Sequence, residues 1–241
     1  MSDFEFIPSE KQIQESNIFQ FMQKHNITSL TELSKKANND LEWFWESVDK
    51  DLGIIWNSPY SKILDSSNGI MWSKWFVNGK TNIYSSSVEK FAKINPEKIA
   101  YYFESEDGVK STITYSELDI KVSKLANGLK SLGITKGDVI AIYLPMIEEA
   151  IVAILAASKI GAIQTVIFSG YSEESLHIRL IDCKAKLLFV SDGFNRKGKN
   201  ISQKQIAQNA IIDTSIEKLI VVPYKGIDNY DSTEKIIFYD Q

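Results

Sequence analysis

Three cations fall within four residues where Arg196 and Lys197 precede Gly198 and Lys199 follows it. Guanidinium and ammonium groups around a flexible backbone suit a phosphate better than an uncharged ligand, because they neutralise its oxyanions while nearby amides can turn inward. A second chemical cue is Phe168-Ser-Gly-Tyr-Ser172. There Phe168 offers a flat apolar face and Gly170 permits close backbone approach, as a purine ring requires. Read alone, a basic loop is more often a solvated loop than a binding site, so spacing by itself leaves both readings open.

The elements that must position these residues lie between Gly133 and Lys199. Val139-Ile-Ala-Ile-Tyr-Leu144 is a nearly continuous apolar run of the kind a strand shows when helices cover both its faces, and Pro145 ends it. Glu148 and Glu149 then stand where a helix N-terminus favours negative charge, residues 150–157 are apolar, and Gly161 falls where that helix would stop. A second strand is predicted over 163–167. After it, Ser172 is the natural N-cap of a helix carrying Leu176, Ile178, Leu180 and Ile181. A third strand over 186–190 leads into a polar loop, 191–200. Strand, helix, strand, helix, strand predicts an α/β fold with parallel layers. Ligands of open parallel sheets bind beyond the carboxyl ends of the strands, where both chemical cues fall.

Upstream, helices are predicted over 10–23 and 29–37, the second capped by Thr28. Trp43, Phe44, Trp45, Trp56, Trp72, Trp75 and Phe76 are read as packing in preference to a binding surface. A helix over 83–95 ends before Pro96, strands over 99–103 and 112–115 form a hairpin, and a helix over 116–132 is capped by Ser116 and closed by Gly133. The last predicted strand, 219–222, is followed only by a polar tail.

Several chemistries are excluded. Asn78-Gly-Lys-Thr81 ends like a Walker loop, but Lys74 occupies the position of the earlier glycine. His25 and His177 are too isolated for a histidine metal site, His177 is expected on a solvated helix face, and paired cysteines are lacking, so no metal ligands are assigned. With 241 residues, 44% of them hydrophobic, the chain can bury a large core. Its net charge of -4 gives no sign of a nucleic-acid or anionic-membrane partner. The single cysteine, Cys183, rules out an internal disulfide and fits core packing in a reducing compartment. An acidic amino terminus and the lack of any apolar run near the roughly 18 residues of a membrane span point to the cytoplasm.

An ordered series of blocks changes the weighing of the basic loop. They are Trp75-Phe-Val-Asn-Gly-Lys-Thr-Asn82, Thr114-Tyr-Ser-Glu-Leu118 with Leu125-Ala-Asn-Gly-Leu-Lys130, Gly137-Asp-Val-Ile-Ala-Ile-Tyr-Leu-Pro-Met146, Ile160-Gly-Ala162 with Phe168-Ser-Gly-Tyr-Ser172, and Asp192-Gly with Arg196-Lys-Gly-Lys199. From about residue 40 onward the chain resembles the amino-terminal part of an AMP-forming acyl-coenzyme A synthetase, closest to the acetyl-coenzyme A synthetase branch. The resemblance implies that Arg196, Lys197, Gly198 and Lys199 contact the 3′-phosphate end of coenzyme A and that Phe168 and Gly170 border its adenine. The last cation of this loop is often arginine in the family; Lys199 keeps the charge but gives up bidentate geometry.

The same resemblance implies a complete enzyme that joins a short carboxylic acid, acetate foremost, to coenzyme A through an acyl-adenylate, with ATP and Mg2+ as its further requirements. The family's Ser/Thr/Gly-rich phosphate loop, adenosine-holding residues, hinge and catalytic lysine match nothing in this sequence. No catalytic residue is therefore assigned here, and the chain alone is expected to be inactive. It reads as an extension over 1–80 followed by the first part of the synthetase large domain over 81–241. The alternatives are a polypeptide partner supplying the missing part, a non-catalytic coenzyme A binder, or an inactive gene fragment.

Overall fold

Hydroxyl and carboxylate caps set the helices of the first of two compact units, Met1–Thr81. Ser9, Ser16, Ser29 and Asp40 each accept a hydrogen bond from the backbone N–H three residues on, starting α1 (Glu10–Gln14), α2 (Asn17–Lys24), α3 (Leu30–Asn39) and α4 (Leu41–Leu52). The helix expected over 10–23 is thus two helices, because Ser16 caps a fresh start. Ser29, not Thr28, caps α3; Thr28 instead donates through its N–H and hydroxyl to Glu32 at 2.9 and 2.8 Å. Helix α4 and the strands after it, β1 (Trp56–Ser58), β2 (Lys62–Asp65), β3 (Lys74–Val77) and β4 (Lys80–Thr81), were not legible in the pattern.

Most of the aromatic residues in this unit pack. Trp43 and Phe44 lie against Met22, Ile27 and Leu33, and Trp56 stacks with Tyr60 and Phe76. The nearly buried Asp49 accepts hydrogen bonds from Trp56 Nε1 at 2.9 Å and Tyr60 Oη at 3.0 Å, which satisfies both polar ends. Trp72 is 68% exposed on a short turn, and Trp45 and Trp75, edge-to-face with each other, stay 39% and 42% exposed.

This computed structural model describes residues 6–105, 108–196, 198–224, 226 and 235–239; Lys197 and the side chains of Arg196 and Asn200 lie outside the described residues. The second unit, Asn82–Gln241, begins with a π turn, Ser85–Glu89, running into α5 (Lys90–Ile94), and ends that helix before Pro96 as expected. Strands β5 (Ile99–Glu104) and β6 (Lys110–Thr114) form the antiparallel hairpin. Helix α6 (Tyr115–Ser131) is capped by Thr114, not Ser116: Thr114 and Glu117 exchange side-chain-to-backbone hydrogen bonds in a capping box.

Then follow β7 (Val139–Tyr143), α7 (Glu148–Ile160), β8 (Ile163–Val166), α8 (Glu173–Cys183), β9 (Leu187–Ser191), β10 (Phe194–Arg196), β11 (Lys199–Ile201), α9 (Gln203–Ala210), β12 (Lys218–Val222) and β13 (Ile236–Phe238). Five of these strands make one all-parallel sheet in the order β13-β12-β9-β7-β8. Strand β13 corrects the reading of a purely polar tail. Its three-residue apolar core was too short to stand out, yet Ile236 and Phe238 are buried beside β12.

Alternation along the strands sorts the core into two layers. Ile140, Ile142, Leu187, Phe189, Ile220 and Val222 face α6 and α7, whereas Ala141, Tyr143, Leu188, Val190, Leu219 and Val221 face α8 and α9. Both faces are covered, which is why these strands read as continuous apolar runs. On α8, Leu176 and Leu180 are buried while Ile178 and Ile181 are exposed. His177, expected in solvent, is instead half-buried, with Nδ1 2.9 Å from the Ala210 carbonyl at the end of α9.

One ion pair locks the amino ends of two central strands. Lys186 Nζ lies 2.6 Å from Asp138 Oδ1, and Thr135 donates to Asp138 Oδ2 through N–H and hydroxyl at 2.8 and 2.9 Å. The Lys186 ammonium first, and the Thr135 donors next, hold the Asp138 carboxyl down to about 2 from its ordinary 3.8. A carboxylate depressed by folding stabilises fully above its unfolded value, and that stabilisation is lost as pH falls through the folded value. Urea midpoints of the protein should therefore fall between pH about 4 and about 2, and Asp138→Asn should flatten that part of the profile. An unchanged acid profile in the variant would remove Asp138 from the account.

Candidate functional site

Strand β9 delivers the basic segment to the carboxyl edge of the sheet, but not as a loop. Residues 194–201 form a separate two-stranded antiparallel hairpin in which Phe194 pairs with Ile201 and Arg196 with Lys199. Gly198 lies between the two strands. Gly198 has φ +71, the left-handed backbone that a two-residue hairpin turn needs and that glycine adopts without strain. Arg196 and Lys199 thus occupy directly opposed positions at the tip, and Lys199 is exposed.

Buried polar groups anchor the base of this hairpin. Asp192 is 2% exposed, and its Oδ1 accepts from Gly193 N at 2.8 Å and from Tyr224 N at 3.0 Å, joining the end of β9 to the segment after β12. Ser191 donates from its hydroxyl, and from its N–H at 3.3 Å, to Gln203 Oε1 at the start of α9. The entry and the exit of the hairpin are therefore held by side chains whose polarity would be costly in a core without such partners.

The second cue is a tight turn. Tyr171 N donates to the Phe168 carbonyl at 3.1 Å, closing Phe168-Ser-Gly-Tyr171 beyond β8, with Gly170 exposed within it and Ser172 capping α8. Phe168 is 54% exposed. Its ring stands edge-to-face with Tyr171, centroids 5.6 Å apart at 86°. The phenol of buried Tyr143 donates to the Tyr171 carbonyl at 2.7 Å, and burial pushes that phenol above its usual range, opposed by the Gln203 amide.

Structure thus brings Phe168 with Gly170 and Arg196 with Gly198 and Lys199 into two groups on one sheet edge. Their parent strands, β8 and β9, are separated by β7 alone, so at about 4.8 Å per strand the loop bases lie about 10 Å apart. A cleft of about 390 Å³ elsewhere on this edge is lined by Glu104, Glu148, Glu149, Met146 and Tyr224 among others. Its carboxylates oppose an anionic ligand, which favours the hairpin side for a phosphate. Among the described residues no cluster of three or more His, Cys, Asp or Glu could hold a metal ion, and no helix is long and apolar enough to cross a membrane.

Sequence reasoning missed Tyr143, Tyr171, Gln203 and Arg179 as contributors. The signal for Tyr143 was present, since a tyrosine within a wholly apolar strand needs a partner for its hydroxyl. Gln203 and Arg179 sit in ordinary polar contexts and gave none.

Comparison with known proteins places the chain. A sequence model of the AMP-binding enzyme family matches residues 88–235, and one of the acetyl-coenzyme A synthetase N-terminus matches residues 30–86. An acetyl-coenzyme A synthetase of Methanothrix thermoacetophila is 40% identical over 219 residues, 90% of this chain and 33% of that protein. One of Mycolicibacterium smegmatis is 38% identical over 219 residues, 90% of this chain and 23% of that protein. Among solved structures, acetoacetyl-CoA synthetase from Streptomyces lividans matches with a TM-score of 0.86 at 23% identity, covering 97% of this chain and 36% of that one, which shows a shared fold. The chain spans about a third or less of the length of these proteins. With more than half of its residues matched, it belongs to the AMP-binding enzyme family.

Proposed function

We propose that this chain forms the coenzyme A nucleotide-binding edge of an AMP-forming acyl-CoA synthetase acting on a short carboxylic acid, with acetate the first candidate. The observation that carries this reading is the opposed pair Arg196 and Lys199 at a hairpin tip, on the same sheet edge as the exposed ring of Phe168. Acetyl-coenzyme A synthetases as relatives support the choice of acid.

In this reading Arg196 and Lys199 neutralise the 3′-phosphate, Lys197 assists, and Gly198 lets the turn close on it. Phe168 and Gly170 border the adenine. The complete enzyme, working in a reducing cytoplasm, activates the acid with ATP and Mg2+ through groups that this sequence does not contain, whether on one longer chain or on a partner polypeptide. Residues 1–80 act as the extension, and 81–241 as the first part of the adenylating domain.

Titration of the chain with coenzyme A and with dephospho-coenzyme A tests the phosphate assignment. Charge-assisted hydrogen bonds contribute about 1.5–3 kcal/mol, so removing the 3′-phosphate should weaken binding at least about tenfold. Equal affinities for the two ligands would sink it.

A further inference from the structure

The turn that presents Phe168 is braced by a cation the proposed function leaves unused. Arg179, on the exposed side of α8, places its guanidinium 4.1 Å from the Tyr171 ring centroid. Its Nη1 donates to the Ser175 carbonyl one helical turn back at 2.7 Å. That bond fixes the plane of the guanidinium, and a planar cation lying on an aromatic face is attracted by the ring quadrupole. Arg179 forms no ion pair among the described residues, although Glu173 and Glu174 lie nearby on the same helix.

Tyr171 is thereby held from two sides. Its carbonyl takes the Tyr143 hydroxyl at 2.7 Å from the buried layer, and its ring is covered by Arg179 from the solvent layer. An edge-to-face partner constrains the rotation of a neighbouring ring, so a fixed Tyr171 fixes the plane of Phe168 as well. A flat ligand stacking on Phe168 has less to order at the moment of binding when the ring beside it is already fixed.

We propose that Arg179 is a positioning residue for purine recognition: through Tyr171 it sets the orientation in which Phe168 meets the adenine of coenzyme A. The inference rests on the reading of Phe168 as an adenine contact and deepens it. Arg179 touches no phosphate in this account. Its loss therefore acts on the nucleoside end of the ligand alone, unlike loss of Arg196 or Lys199.

Three variants and one spectroscopic probe test it on the whole chain. Arg179→Met keeps the length of the side chain and removes the planar cation; Arg179→Lys restores charge without the flat stack; Tyr171→Leu removes the platform itself. Arg179→Met should weaken coenzyme A and dephospho-coenzyme A alike, by about threefold, the scale of an exposed cation–π contact. Arg179→Lys should recover only part of this. Tyr171→Leu should produce a similar loss, and adding Arg179→Met to it should change nothing further.

Independently of any ligand, a 4-fluorophenylalanine at position 168 should give a 19F line that moves toward the solvent-exposed shift in Arg179→Met. A line and both affinities unchanged by the substitution would overturn the proposal. So would a loss confined to coenzyme A, which would make Arg179 a direct phosphate contact. If the unmodified chain binds neither ligand, the adenine reading fails by itself, while the fluorine line still decides whether Arg179 orders Phe168.

Discussion

Replacing Arg196 and Lys199 together by alanine in a complete enzyme is expected to raise the apparent coenzyme A requirement by about two orders of magnitude. Acid-dependent exchange between ATP and pyrophosphate should stay nearly unchanged. The magnitude follows from two charge-assisted contacts of about 1.5–3 kcal/mol each, discounted because an exposed hairpin tip is partly screened by solvent. The selectivity follows from position. Both residues pair at the end of a hairpin that belongs to neither layer of the core, so their removal leaves the adenylating half-reaction its structural support. Equal damage to both half-reactions would show that the hairpin serves adenylation, and the phosphate assignment would fall. A matched Lys199→Arg variant separates charge from geometry: tighter binding in that variant would mean that the lysine gives up a bidentate contact the site can accommodate.

The largest expected loss of stability comes from Asp192→Ala. Its carboxylate is the acceptor for two backbone N–H groups, Gly193 and Tyr224, in a position 2% exposed to solvent. Its loss leaves the buried Gly193 N–H without that acceptor, which costs about 1–3 kcal/mol, and strips Tyr224 N–H of one of two acceptors, the Val222 carbonyl at 3.0 Å remaining. Asp192→Asn keeps a carbonyl oxygen where the acceptor stood and should cost markedly less. Urea unfolding of the three proteins checks the ranking. Because Asp192 also roots the hairpin, the alanine variant should bind coenzyme A less well under native conditions although the residue touches no ligand. Wild-type stability in the alanine variant would overturn the assignment of Asp192 as an anchor of this segment.

Much of this architecture was legible because buried parallel strands announce themselves. Residues 139–144 and 187–190 are apolar on both faces, and the helices that cover them carry caps and stops in plain view, Ser172 before α8 and Gly161 after α7. The caps that were misplaced differ in a physical way. Thr114 is at once the last residue of β6 and the cap of α6, and Ser116 beside it has the same chemistry; only the reciprocal bond with Glu117 decides between them. The basic segment was recognised by composition but not by shape, since Phe194-Asn-Arg196 and Lys199-Asn-Ile201 are too short and too polar to read as strands. Helix α9 escaped for a similar reason: its buried face is built from Ala207, Ala210 and the amide of Gln203, side chains that carry little apolar signal. The contacts that orient Phe168 were invisible because they join residues from β7, the turn and α8, and no local pattern encodes them.

The strand order has a consequence for how the chain is born. Going outward from β7, each later strand of the five-stranded sheet joins at a free border: β8 on one side, then β9, β12 and β13 in turn on the other. A polypeptide emerging from the ribosome can therefore assemble the sheet in the order of its synthesis, with no strand threaded between two already in place. Every addition closes a connection of modest length, so the entropic barrier is divided into small steps and apolar surface is covered soon after it appears. The hairpin bearing Arg196 and Lys199 then arrives on a scaffold that has already begun to form.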